Sequence, residues 1–384
     1  MRLRYGMNPQ QATACATPVT PDAWPVRPVH GQPSLINMLD ALGGWQLVRE
    51  ASALLGRPAA ASFKHTSPAG AALAGPLDEV AAGPHQAGPG LSAVARAYLR
   101  ARDADPKSSY GDFAAVSSPV DADLARVLAR VVCDGIIAPA YQPGTVATLS
   151  RKKNGQFLIL EADDAFTPPP RETREIYGVR LTQDRDDTLL SPERLQVVTG
   201  PGLTAAAASD LLLGMAVLRY TQSNSVCYVR DGMTLGIGAG QQSRVDCTRL
   251  AGAKTGTWWL RRHPVIRDLP FADGLTRQEQ LNWQVRLIEA DLTPQERGHL
   301  EQVLTGPAAE LSPAQRAQWS SRLTGVTFAS DGHLPFRDNV DHAHRHGVSC
   351  IAEPGGSIRS AEIAAACDEY GITLARTGLR LFQH

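Results

Sequence analysis

Two stretches of the chain, FAAVSSPVDADLARVLARVVCDGIIAPAY (113–141) and VTFASDGHLPFRDNVDHAHRHGVSCIAEP (326–354), run in the same order: strand, polar or proline corner, helix, strand. A strand that returns through a helix to lie beside another strand demands a parallel pair with its faces covered. Two such units commit the chain to α/β layering with a largely parallel sheet. The spacing predicts two copies of one α/β unit, in halves 1–198 and 199–384, rather than a solenoid. Ser34 caps a helix, LINMLDALGGWQLVREASALLG, which Gly56-Arg57-Pro58 ends. The buried strand Ala59–Phe63 follows, and Ser67-Pro68 predicts the N-cap and first residue of another helix. Residues 164–200 read as a connection, 203–218 as a buried helix, and Asp231-Gly232 as a tight hairpin turn. Residues 277–323 read as a polar helical insertion in the second half.

Composition removes several classes of function. The 38 Lys and Arg residues balance 38 Asp and Glu, so no electrostatic footprint for nucleic acid or an anionic membrane exists. Six scattered cysteines form no CxxC pair, which argues against a zinc cage or a disulfide scaffold and suits a reducing cytoplasm. The N-terminal MRLRYGMNPQQ lacks the apolar core of a signal peptide. The run 203–218 is too short for a membrane span and carries Asp210. A cytoplasmic protein is expected.

Chemistry concentrates where AAASFKHTSPAG (59–70) turns from apolar to polar. Lys64 and His65 sit at the carboxyl end of a strand, the side of an open α/β sheet where ligands bind. An ammonium beside an imidazole disfavours imidazolium and leaves the ring able to accept a proton, while the lysine can serve a developing oxyanion. The plain alternative is an exposed turn. GIGAGQQSR (236–244) fails the GxGxxG spacing at Gln241 and has no Walker lysine, so it reads as a glycine turn beside Arg244. His342 and His346 stand four apart, a metal-like spacing, but a helix C-terminus favours histidines anyway. LPFRDN offers a proline–aromatic corner with Asp338, a ligand group or a helix cap. In YTQSNSV, Asn224 is the most ligand-capable member of a polar loop. Arg4 and Arg380 lie near the two termini and matter if they meet on an anion.

In order along the chain stand LRYGMNPQQ, PSLINMLDALGGWQLVRE, AAASFKHTSPAG, SSYGDF, CDGIIAP, RKKNG, YTQSNSVCY, GIGAGQQSR, WWLRRHP, PFRDNVD and ITLARTGLRLFQH. Together these closely resemble the transformylase portion of the AICAR transformylase/IMP cyclohydrolase family, from about Arg2 to His384. The cyclohydrolase portion, which precedes this segment in the family, has no counterpart in the sequence, so a stand-alone formyltransferase is expected.

The resemblance implies a duplicated cytidine-deaminase-like α/β fold and a homodimer with active sites at the subunit interface. It implies formyl transfer from 10-formyltetrahydrofolate to the 5-amino group of AICAR ribotide. The deaminase zinc signature, H-x-E with P-C-x-x-C, is missing, so zinc chemistry is not expected. His65 falls on the family's proton acceptor, Lys64 on its transition-state stabiliser and Asn224 on the residue holding the histidine and the carboxamide. Arg4, Tyr5, Ala140, Asp163, Arg244, His333 and Arg380 fall on AICAR ribotide positions. Val245, Asn282, Pro335, Phe336, Asp338, Ser357 and Ile358 fall on the folate site. Asp331 and Leu381 fall near a structural potassium site of some members. Ala140 stands where a glycine is usual, and His333 where an aromatic residue flanks the AICAR ring. Gln10 and Asp246 replace two histidines. Formyl transfer to a related amine, or a non-catalytic nucleotide- or folate-binding homologue, are the alternatives.

Overall fold

A computed structural model of the chain describes residues 1–83, 90–308 and 310–384. The first half supplies strands β1 (Val26–His30), β2 (Ala59–Lys64), β3 (Ser67–Leu73), β4 (Asp112–Val116), β5 (Cys133–Ala138) and β6 (Leu158–Ala162). An exposed ribbon, β7 (Arg171–Ile176) with β8 (Val179–Asp184), interrupts the connection. The second half supplies β9 (Gln196–Thr199), which straddles the expected 198/199 boundary, then β10 (Val226–Arg230), β11 (Met233–Gly238), β12 (Val326–Ser330), β13 (Val348–Glu353) and β14 (Thr373–Arg376). All but the ribbon join one 12-stranded sheet, ordered β1-β6-β5-β4-β2-β3-β11-β10-β12-β13-β14-β9. Counted inward from its own end, each half has the same order: first, sixth, fifth, fourth, second, third.

One face of the sheet carries α1 (Leu35–Leu55) and, after its partner half begins, α6 (Ala205–Arg219). The other carries α3 (Ala93–Ala104), α4 (Ala122–Arg130), α7 (Arg244–Leu260), α12 (Asp338–His344) and α13 (Ser360–Glu369). Short helices α2 (Glu79–Ala82), α5 (Thr145–Leu149) and α8 (Pro264–Arg267) fill connections. Each apolar layer draws residues from both halves, so the halves share their cores. The insertion holds α9 (Arg277–Glu289), α10 (Pro294–Gln302) and α11 (Pro313–Ser320) around its own small cluster, including Leu287, Ile288, Leu300 and Leu311. Ala309, within that predicted insertion, lies outside the described residues. No helix among the described residues is long and apolar enough to cross a membrane.

Local rules explain most of the elements. Ser34 Oγ accepts from the Asn37 amide at 3.3 Å, the Asn37 side chain accepts back from the Ser34 amide at 3.0 Å, and left-handed Gly56 closes α1. The Asp231-Gly232 hairpin forms as read, both residues having positive φ. The helix expected from Ser67-Pro68 does not: that segment is β3, paired antiparallel with β2. A register shift at Ser62/Phe63 sets Phe63 opposite Pro68, and the irregularity accommodates a residue with no amide hydrogen. The Lys64–His65 step is therefore a hairpin tip and not the strand-to-helix corner the sequence suggested.

Close helix–sheet approach accounts for Gly236 and Gly238 of GIGAGQQSR, while Gly240, with φ of 67°, makes the turn that the sequence suggested. A Cβ at Gly236 would stand 2.2 Å from the Ala251 carbonyl, and one at Gly238 2.2 Å from that of Cys247, so α7 lies backbone-close on β11. Gly70 repeats the arrangement in β3, 2.1 Å from the Ala101 carbonyl of α3. Gly236→Ala is expected to cost about 3 kcal/mol in urea unfolding, because two backbones would have to separate. Gly298→Ala on exposed α10, where an added methyl meets nothing within 4 Å, is expected to raise stability by up to ~1 kcal/mol.

Candidate active site

Strand directions divide the sheet into two rims. The end of β2 pairs with the start of β4 (Phe63 with Phe113), and β4, β5 and β6 run parallel. In the other half the start of β10 pairs with the ends of β11 and β12 (Val226 with Gly238 and Ser330), while β12, β13 and β14 run parallel. Since β3 and β11 are antiparallel, the tip of the β2–β3 hairpin shares a rim with the carboxyl ends of β12–β14. Most of the predicted site residues gather there.

Lys64 is half-buried, with Nζ donating to the Tyr110 carbonyl at 2.7 Å. His65 is exposed at the tip, with φ of 52°, and Thr66 follows at 63°. Beneath them the Asp40 carboxylate of α1 accepts from the Thr66 amide at 2.7 Å. Burial pushes that carboxyl above its ordinary range, opposed by the Thr66 and His65 amides and by the His65 charge. Ser67 Oγ accepts from the Gln222 amide at 3.3 Å, joining the tip to the loop that carries Asn224.

Asn224 is held on three sides. Its Nδ2 donates to the carbonyls of Gln241 and Gln242, each at 3.0 Å, and its Oδ1 accepts from Arg244 Nη2 at 2.7 Å. The Cys247 thiol, pushed up to about 11 by burial and so kept protonated, donates to the Asn224 carbonyl at 2.8 Å. The Ser223–Asn224 peptide is cis. Arg244 opens α7 and is buried on Asp331, a direct ion pair in which Asp331 is fully shielded from solvent. Asp331 also accepts from Ser223 Oγ at 2.6 Å and from the Ser225 amide and hydroxyl at 2.9 and 3.1 Å. The Leu381 amide donates to the Asp331 carbonyl, and Gln383 exchanges bonds with Ser223, so the C-terminal tail lies along this loop. Arg380 is exposed over the Phe382 ring. The predicted nucleotide residue Arg244 thus spends its guanidinium on Asp331, Asn224 and Ser330.

Around this centre stand Arg4 and Tyr5, which hydrogen-bond each other at 3.0 Å beside the start of α1. Val245 follows Arg244. The β12–α12 corner brings exposed His333, Pro335, exposed Phe336 and Asp338, the first residue of α12, whose Oδ1 accepts from Asn339. The β13–α13 corner brings Ser357 and fully exposed Ile358, and Arg359 stacks on Phe336 at 4.9 Å, so the two corners meet. Asn282 is elsewhere, exposed on α9 and accepting from Gln278 at 3.0 Å. Ala140 and Asp163 follow the carboxyl ends of β5 and β6, on the opposite rim. With six residues in β5 at ~3.3 Å each, that rim is about 20 Å from His65.

Sequence reading missed Asp40, although a carboxylate inside the apolar run INMLDALGG was its signal. It also missed the Ser223 and Ser225 ties to Asp331. His346 packs edge-on to the Tyr228 ring, with centroids 5.6 Å apart, and His342 accepts from Arg249 at 3.1 Å. Among the described residues no group of three or more His, Cys, Asp or Glu is placed to hold a metal ion. Burial pushes His346 down to about 4, so the unfolded chain binds more protons than the folded one between that value and 6.5. Stability from this ring is full above pH 6.5 and falls by about 3 kcal/mol as pH drops toward 4. His346→Gln is expected to remove that part of the pH dependence in chemical denaturation.

Fold and rim together define the class: an α/β protein whose rim sets an ammonium and an imidazole beside a buried Arg244–Asp331 pair and the half-buried Asn224 it holds. The family described as "AICARFT/IMPCHase bienzyme" matches residues 1–254, which include Lys64, His65, Asn224 and Arg244. Over its whole length the chain is 31% identical to the bifunctional purine biosynthesis protein PurH of Roseobacter denitrificans. It is 30% identical to the protein of that name from Magnetococcus marinus and 31% to that from Parasynechococcus marenigrum. The chain belongs to the AICARFT/IMPCHase bienzyme family, and it spans 59% of the length of these relatives.

Proposed function

We propose that the chain transfers the formyl group of 10-formyltetrahydrofolate to the 5-amino group of AICAR ribotide, in purine synthesis in the cytoplasm. The observation that carries this reading is the Lys64–His65 hairpin tip tied to the Asn224 loop on one rim. The AICAR amine is a weak nucleophile because its lone pair is conjugated into the ring, so a base must take its proton as the new C–N bond forms. His65, exposed at the tip, is that base. Lys64 faces the formyl oxygen as it gains charge. The bond from the formyl carbon to N10 then breaks, and N10 takes up a proton to give tetrahydrofolate and FAICAR. Asn224 orients the acceptor, Arg4, Tyr5 and Arg380 bind the ribotide, and Asp338 accepts from pterin N–H groups beside Phe336 and Ile358.

A second copy of the chain completes the site, because Ala140 and Asp163 stand about 20 Å from His65 in the same chain. The repeated strand order supports reading the chain as two cytidine-deaminase-like units, divided just ahead of β9 and so a few residues before the 198/199 boundary expected from the sequence. A potassium ion near Asp331 and Leu381 would find hard oxygen donors in the Asp331 carboxylate and the Ser223 and Ser225 hydroxyls, and it takes no part in the chemical step.

The test is tetrahydrofolate formation followed by absorbance with purified chain. Release that depends on AICAR ribotide supports the reading, and none with any acceptor sinks it. Ala140 and His333, which depart from the family pattern at the ribotide site, favour one second reading: the same transfer to a related amine. Competition among amines decides, and a clear preference for AICAR ribotide removes that reading.

A further inference from the structure

The two halves of the sheet contain one device twice. α1 and α6 each carry an aspartate six residues past the N-cap, Asp40 after Ser34 and Asp210 after Thr204. Both are buried, 7% and 6% exposed. Each reaches the two-residue turn of the hairpin that follows its own helix. Asp210 accepts from the amides of Asp231 and Gly232 at 2.9 and 2.7 Å. Asp40 accepts from Thr66 at 2.7 Å, and the His65 amide adds to the stabilisation of its charge. In both turns both residues have positive φ: 54° and 73° at Asp231 and Gly232, 52° and 63° at His65 and Thr66.

The two turns differ in what their residues prefer. Asp-Gly takes this conformation readily. A histidine followed by β-branched Thr66 does not, since a Cβ opposes the left-handed region and branching makes it worse. Asp210 therefore holds a turn that would form without it, whereas Asp40 holds one that its own residues resist. The held turn is the one that presents the imidazole at the rim.

We propose that Asp40 is a positioning residue for His65, its carboxylate fixing the left-handed His65–Thr66 turn that aims the imidazole at the acceptor amine. The inference rests on the reading of His65 as the proton acceptor. Asp210 serves as an internal control: it makes the equivalent bonds in the same protein, far from the reacting groups.

The experiment compares full-length Asp40→Asn, Asp210→Asn, His65→Ala and the double variant Asp40→Asn/Thr66→Gly. Asp40→Asn is expected to lower kcat at least tenfold while KM for both substrates changes less than threefold. Asp210→Asn is expected to lower the thermal midpoint yet keep kcat within twofold. Thr66→Gly in the Asp40→Asn chain is expected to recover most of kcat, since glycine adopts positive φ unaided. The double variant also covers the case in which Asp40→Asn alone fails to fold. A crystal structure of the Asp40 variant is expected to show the turn out of the left-handed region, a readout independent of turnover. Turnover within twofold of normal in Asp40→Asn, with His65→Ala inactive, overturns the inference alone, as does an unmoved turn in the crystal. A His65→Ala chain with undiminished turnover overturns the reading of His65 and with it any positioning role for Asp40. Equal losses of kcat in Asp40→Asn and Asp210→Asn reduce Asp40 to a structural residue.

Discussion

A His65→Ala chain is expected to bind AICAR ribotide normally and to lose roughly 10²–10⁴-fold in kcat, the usual worth of a positioned base. The side chain is exposed at a turn, so its removal leaves no cavity and the fold should be unaffected. Lys64→Ala is expected to cost roughly 10²–10³-fold, the scale of losing one donor to a developing oxyanion. Its Nζ bond to the Tyr110 carbonyl places the ammonium at the rim but uses only one of its three hydrogens. On the proposed mechanism both groups act in one transition state, so the double variant should be scarcely slower than His65→Ala alone. Single-turnover kinetics with equilibrium ribotide binding separates these outcomes. Losses that multiply fully, or a loss confined to KM, would mean the pair does not act as a unit on the reacting carbon.

Asp331→Ala is expected to destabilise the chain by about 3–5 kcal/mol in urea unfolding, because it leaves the Arg244 guanidinium buried without its counter-charge. The damage should reach the chemistry as well. Asp331 holds Ser223 and Ser225 on either side of Asn224, and Arg244 holds the Asn224 amide oxygen. Activity measured on the fraction that remains folded should therefore also fall. An Arg244→Met/Asp331→Leu double variant, lacking both charges, should recover most of the stability, since an apolar pair of similar volume is often neutral. It should recover little of the activity, because Asn224 would lose its donor.

The α/β class was legible because strand-and-helix alternation and two matching units leave few other layerings. Ser34, Gly56 and Asp231-Gly232 act through local backbone rules, and local rules survive into the fold. The Ser67-Pro68 helix start failed for a non-local reason: a register shift opposite Pro68 and the pressure of α3 on Gly70 make a strand of what local preference reads as a cap. GIGAGQQSR reads as a glycine turn; Gly240 does turn, with φ of 67°, but Gly236 and Gly238 are there for the close α7 backbone. β9 and the exposed β7–β8 ribbon lay inside a stretch whose charges and prolines suggested only a connection. Of the candidate site, the residue types were readable but their grouping was not. Whether Ala140 and Asp163 share a rim with His65 depends on strand direction, which the change of β3 from helix to antiparallel strand decides.

The most direct test is a crystal structure with AICAR ribotide and a non-transferring folate analogue bound. The 5-amino nitrogen should lie within ~3.2 Å of the His65 imidazole, with Lys64 Nζ turned from Tyr110 toward the position of the formyl oxygen. A ribotide seated away from the β2–β3 hairpin tip, with His65 pointing into solvent, would contradict it.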